Sequence, residues 1–229
     1  MKKIILLILI TTYAIIANSF PQRIETTITS VNGDTIKLAQ HISAGVSGVV
    51  VHDYGNGLSA ITHSLITTKN GDAKLLPYRA IIHDNIPSVK TEAKVNDRVI
   101  LGNYYNNILL IAPNEQTYSS ITKRFNKNWI HPDSYAIEFM KEEISKITLD
   151  SLYKFAIKNQ VGLVLLVTKN SILFLDPISK KLIKNQPFTI TNKKAMRPFF
   201  SRFPQMDISD FGFSSVKLED YYKSISEIK

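Results

Sequence analysis

Cysteine is absent from the 229 residues. Its absence excludes disulfide scaffolds, zinc–thiolate centres, thiol catalysis and lipid attachment through an N-terminal cysteine. Glycine and proline number only 9 each, too few for a collagen-like or low-complexity chain. Phosphate-cradling loops are missing as well: there is no Gly-x-Gly-x-x-Gly and no Gly-x-x-x-x-Gly-Lys. Gly55-Asn56-Gly57 reads as a turn between strands and opens no helix, so no nucleotide cofactor is supported. Acidic side chains are scarce, 19 against 28 basic, for a net charge of +9. That balance favours anionic partners such as lipid phosphates, glycans or acidic protein surfaces. What is present is globular: 44% hydrophobic and 21% charged residues, enough to bury a core.

Long apolar runs are also lacking, with one exception. Lys2 and Lys3 precede Ile4–Ile10, continued more weakly to Ile16, and Ala17 and Ser19 occupy the −3 and −1 positions of a cut before Phe20. A charged start, a short apolar stretch and a small-residue cleavage site form the secretory pattern. A retained membrane anchor is the alternative, but 13 residues fall short of the roughly 20 that a span needs. Residues 1–19 are therefore expected to be a signal peptide, and the protein to be exported to the periplasm or outer cell surface. The mature chain, Phe20 to Lys229, keeps a net charge of +7. Export takes it away from nucleic acid.

From Arg23 to about Pro113 the pattern is of short strands with turns between them. Thr26–Val31 and Thr35–Leu38 flank Asn32-Gly33-Asp34; Gly48–His52 and Ala60–Ile66 flank residues 54–57. Ala73–Leu76, Ala80–Ile82, Arg98–Leu101 and Ile108–Ile111 add further strands. Asn-Gly pairs suit hairpin turns because both residues tolerate positive φ. After Pro113 helical spacing appears: Thr117–Phe125, a helix capped by Asp133, and one capped by Asp150 over Ser151–Lys158. Val161–Val167 is a continuous apolar run, as in a strand covered on both faces, and Ile172–Asp176 reads as its hairpin partner. Leu218–Ile228 closes the chain as a helix. The expectation is an α+β protein, with a small antiparallel β-barrel or sandwich over residues 20–115 and an α/β-type subdomain over 116–229.

Catalytic constellations are weak. Gly45-Val46-Ser47-Gly48 lacks the spacing of a nucleophile elbow, and Ser120-Ile121-Thr122-Lys123 stands without the companion elements of penicillin-recognising enzymes. His41, His52, His63, His83 and His131 show no i, i+4 pairing; His52-Asp53 and His83-Asp84 are the nearest approach to a metal-ligand pattern. Neither an enzyme nor a metal or other cofactor is expected. The charge distribution is more informative. No acidic residue lies between Asp176 and Asp207, while Lys180, Lys181, Lys184, Lys193, Lys194, Arg197 and Arg202 supply seven cations among Phe188, Phe199, Phe200 and Phe203. Such a stretch is either a basic patch for anionic lipid, glycan or protein, or a solvated loop with its phenylalanines turned inward.

Leu109-Leu110-Ile111-Ala112-Pro113-Asn114, Tyr118, Phe125 and Trp129-Ile130-His131-Pro132-Asp133 resemble the N-terminal domain family of plasminogen-binding protein A. Ala44–Val50, Pro198-Phe199-Phe200-Ser201-Arg202 and Tyr221-Tyr222 extend the resemblance over the mature chain. It implies an exported, non-catalytic envelope or surface protein of a Gram-negative bacterium, with host plasminogen or another envelope protein as partner. The family's namesakes look longer, with a lysine-rich extension beyond the shared domain. Kringle pockets of plasminogen recognise an ammonium and a carboxylate joined by an aliphatic stem. The resemblance thus makes Lys229 a candidate ligand, with Lys223 as an internal mimic. The other role it allows is a periplasmic module that docks envelope components through the stretch from Lys180 to Arg202.

Overall fold

The computed structural model describes residues 20–78, 90–142, 146–189, 194–203 and 214–228. The expected signal peptide, the strand Ala80–Ile82, His83, Lys193 and Lys229 lie outside them.

Six strands close a barrel: β1 (Ile24–Asn32), β2 (Thr35–Leu38), β3 (Ser47–Gly55), β4 (Leu58–Thr67), β5 (Asp72–Pro77) and β6 (Arg98–Leu101). Every pair is antiparallel, in the order β1-β2-β5-β4-β3-β6. The expected barrel is thus present. Alternation along these strands sends Ile28, Ile36, Leu38, Val50, Leu65, Leu75, Val99 and Leu101 inward. The expected Asn-Gly turn forms at Asn56-Gly57, where both residues have positive φ, as a type I′ hairpin demands. In the β1–β2 turn the loop shifts by one residue to Gly33-Asp34, and Gly33 alone is left-handed.

The second sheet has the order β11-β10-β9-β7-β8. Its strands are β7 (Asn107–Ile111), β8 (Asn128–Ile130), β9 (Leu163–Val167), β10 (Ser171–Asp176) and β11 (Lys181–Pro187). The run Ile108–Ile111, read from sequence with the barrel strands, belongs here instead. It pairs in parallel with β8 and β9, before the expected break near residue 115. Its four consecutive buried residues mark a strand covered on both faces, whereas β1, β2 and β5 of the barrel alternate; β3, buried from Ser47 to Val51, is the barrel's exception. β10 and β11 complete the sheet antiparallel, with a bulge at Phe174/Leu175.

Parallel neighbours need crossovers, and helices supply them. α1 (Glu115–Thr122) links β7 to β8; α2 (Pro132–Lys141) and α3 (Leu149–Asn159) link β8 to β9. α1 is shorter than the expected Thr117–Phe125. Asp150 does not cap α3. Thr148 does, in a reciprocal box with Ser151, leaving the Asp150 carboxylate to pair with Lys180. Ile121 of α1 packs on Ile108, Leu110, Leu163 and Leu165. Tyr135 and Phe139 of α2, with Leu152 and Phe155 of α3, cover Leu109, Ile111, Val164 and Leu166 on the opposite face. α4 (Leu218–Ser226) joins that second face, beside a ribbon of β12 (Lys194–Arg197) and β13 (Ser214–Lys217).

Barrel and sheet meet at a fully buried carboxylate, Asp176, at the end of β10. Its Oδ2 accepts from the Ser47 amide (2.8 Å) and the Tyr105 hydroxyl (2.7 Å). Its Oδ1 accepts from the amides of Ile178 and Ser179, both at 3.0 Å. Burial, then the adjacent Asp176 charge and hydrogen bond, push the Tyr105 hydroxyl well above its ordinary value, so it serves as a neutral donor. Ser179 donates back to the Gly45 carbonyl at 2.6 Å. Gly45 has φ +94° and lies against Lys181 so closely that a Cβ would sit 2.8 Å from the lysine Cβ.

In Asp176→Asn, either amide orientation sets an NH2 group against at least one backbone N–H, those of Ile178 and Ser179 or that of Ser47. The expected outcome is a loss of about 2–4 kcal/mol of unfolding free energy, measured by urea denaturation. Gly162→Ala should also lower the urea midpoint, because its Cβ would meet the Tyr104 carbonyl at 2.1 Å.

Candidate functional site

The loops leaving β7 and β8 run to opposite faces of the sheet, because α1 and α2 cover different sides. In α/β sheets the crevice outside such carboxyl ends is the usual ligand position. Here the chain fills it with its own residues. The Pro113 carbonyl accepts from the Met196 amide (2.7 Å) and the Ala112 carbonyl from the Phe200 amide (2.8 Å). Asn114 caps α1 through the Thr117 amide (2.9 Å), and its Nδ2 donates to the Lys194 carbonyl (2.8 Å). The buried Tyr221 hydroxyl donates to the Ile111 carbonyl at 3.1 Å.

The next loop binds the same segment. His131, not the expected Asp133, is the N-cap of α2, because Pro132 occupies the first helical position and moves the start back by two residues. The His131 Nδ1 accepts from the Asp133 amide at 3.2 Å. Freed from capping, the Asp133 carboxylate takes the Ser201 hydroxyl (3.0 Å) and Arg202 amide (2.9 Å) on Oδ1, and the Arg202 Nε (2.6 Å) on Oδ2. Tyr118, His131 and Phe200 pack at tilted angles around this clamp, with Tyr118 5.3 Å from His131 and 5.5 Å from Phe200 between ring centres. Phe199 lies stacked on Tyr135 at 5.4 Å.

Partial burial opposes ionisation of Asp133, but the Arg202 amide and guanidinium, the Ser201 hydroxyl and His131 outweigh it and hold the carboxyl below its ordinary value. Burial likewise lowers His131, more than neighbouring Asp133 raises it, so the ring is neutral and free to accept at Nδ1. The cluster is a set of satisfied partners rather than an open reactive site.

The sequence-predicted cations fall on separate elements. Lys180, Lys181 and Lys184 lie at and along β11: Lys180 pairs with Asp150 beside the Tyr153 ring, and Lys184 sits 5.6 Å from the centre of the Phe174 ring. Lys194 and Arg197 occupy exposed positions of β12, and Arg202 is clamped to Asp133. Lys223 is exposed on α4. Of the histidines weighed as ligands, His52 pairs with Asp97 at 2.6 Å and His63 with Thr62 at 3.1 Å. No three potential ligands gather around a metal position among the described residues. No helix among them is long and apolar enough to cross a membrane.

Leu109–Asn114, Trp129–Asp133 and Pro198–Arg202, three of the stretches that carry the family resemblance, meet at this crevice together with Lys194, Met196 and Tyr221. The family described as plasminogen-binding protein pgbA N-terminal matches residues 23–228. The chain belongs to that family. Two relatives, both named plasminogen-binding protein PgbA, come from Helicobacter pylori strains J99 and 26695. They are 27% and 26% identical over 164 residues, covering 69% of this chain but only 36% of either relative. The chain thus spans little more than a third of their length. No solved structure matches it.

Both titrating groups of the clamp lie below their ordinary values, so the folded chain binds their protons more weakly than the unfolded chain does. Their stabilisation is complete above the unfolded values. It declines as pH falls below 6.5 through His131, and again below 3.8 through Asp133. Unfolding free energy measured from pH 8 to pH 3 should follow that course. Asp133→Asn should lose about 1–3 kcal/mol at pH 7 and show a shallower decline below pH 4.

Proposed function

We propose that this chain is an exported, non-enzymatic binding protein that captures plasminogen through surface lysines. Family membership carries the reading: the match covers residues 23–228, and both relatives bear the name plasminogen-binding protein. The geometry of α4 supports the lysine route. Lys223 is exposed, and exposed Glu219 and Glu227 lie four residues to either side on the same helical face. An ammonium with a carboxylate nearby reproduces the charge pair that kringle pockets recognise. The satisfied clamp at Asp133 supports a scaffold role for the crevice. Export rests on Lys2, Lys3, the apolar run to Ile16 and the small residues before Phe20.

Purified protein should capture plasminogen, and soluble lysine analogues should release it. Lys223→Ala should weaken capture at least about tenfold, a loss of 1.4 kcal/mol. Capture unchanged by analogues and substitution alike overturns the lysine route; no capture at all overturns the plasminogen reading. Protease shaving of intact cells, with fractionation, checks export and surface exposure.

A further inference from the structure

A second group of cations adjoins the stretch singled out by sequence where Lys184 sits over the Phe174 ring. The turn between α1 and β8 reads Lys123-Arg124-Phe125-Asn126-Lys127, inside a segment, residues 116–132, that holds no acidic residue. Lys123 and Arg124 are exposed, and none of the three cations has an ion-pair partner among the described residues. The Lys127 ammonium donates to the Asn106 side chain at 2.9 Å and stands 5.2 Å from the centre of the Phe20 ring. Phe20 in turn packs edge-on against Phe125 (4.8 Å), Phe174 (5.3 Å) and Trp129 (6.3 Å). These rings cover the α1 face of the sheet, where Phe20, Phe125 and Trp129 are only partly buried. Half-buried aromatics rimmed by unpaired cations combine the two attractions of a bilayer interface, apolar contact and anionic headgroup binding.

The position of Phe20 supplies an independent argument. Only Ala17, Asn18 and Ser19 separate it from the apolar run ending at Ile16. Four Cα–Cα links separate Ile16 from Phe20 and reach at most about 14 Å when extended. Until the expected cut before Phe20, the Phe20 face stays within about 14 Å of a membrane that holds that run.

We infer that Phe20, Phe125, Trp129, Lys123, Arg124 and Lys127 form a docking surface for anionic phospholipid bilayers. The surface rests on the export reading only for its encounter with a bilayer in the cell. Its recognition of lipid is a property of the folded chain.

The test uses residues 20–229, which contain every described element, and co-sedimentation with vesicles of phosphatidylcholine alone or with 30% phosphatidylglycerol added. Binding should require phosphatidylglycerol and weaken with salt. Lys123→Gln, Arg124→Gln and Lys127→Gln together should lower partitioning about a hundredfold, at roughly fivefold per cation. Their circular dichroism and thermal midpoint should match the parent, since the first two side chains are exposed and the third is partly so. Lys37→Gln, Lys90→Gln and Lys94→Gln remove equal charge from exposed barrel positions and should change partitioning less than about threefold. Equal losses in both triple variants would show attraction by net charge and overturn the docking surface. So would binding to heparin without binding to vesicles. Vesicle binding by a protein that cell fractionation finds unprocessed in the cytosol would uphold the surface while export fails.

Discussion

The arrangement of the two halves depends on one buried negative charge. Asp176 ends β10, and both its oxygens are occupied: one by the turn that follows, the other by the barrel strand β3 and by Tyr105. A carboxylate removed from water is tolerated only where donors surround it, so each donor has to be in place for the others to hold. The turn after β10, the start of β3 and the link between β6 and β7 are thereby tied to a single point. Gly45 and Gly162 allow the backbones to come close enough for that junction to form.

A second constraint sits at the far end of the sheet. The carbonyls of Ala112 and Pro113 would be left without partners if the crevice were open, and the segment from Lys194 to Arg202 supplies its amides to them. Asp133 and Arg202 close the same contact from the neighbouring loop. The stretches that carry the family resemblance therefore meet in space because they complete one another's hydrogen bonds. A fold that uses its usual ligand position for self-association presents its outer surfaces to partners, which suits a binding family.

Much of this was legible in the amino-acid order, and the losses have physical causes. Alternation in Thr26–Leu38 and the Asn56-Gly57 pair announce barrel hairpins, and the unbroken apolar run before Thr168 announces a covered strand. Ile108–Ile111 carries the same signal as that run, yet nothing local says which sheet a strand joins; that depends on pairing with Leu163–Leu166, more than fifty residues on. The strands Lys194–Arg197 and Ser214–Lys217 are short and polar, ordered by Pro113 and by α4 rather than by their own pattern. Asp133 and Asp150 are good helix caps by type, but Pro132 and the Thr148–Ser151 box decided the start sites. The clamp between Asp133 and Arg202 spans sixty-nine residues and has no local signature. The Lys123–Lys127 run was visible all along; only its setting beside Phe20 distinguishes it from a solvated turn.

β11 is the outermost strand of its sheet, and it carries Lys181 and Lys184 around Leu182, which is 58% exposed. An outermost strand with an uncovered leucine invites a neighbouring molecule to add its own strand. Lysines on both sides oppose that by repulsion, and the bulge at Phe174/Leu175 breaks the regular ladder of the β10–β11 pair. The cations that read from sequence as a recognition patch thus stand where their charge opposes edge-to-edge pairing of two copies.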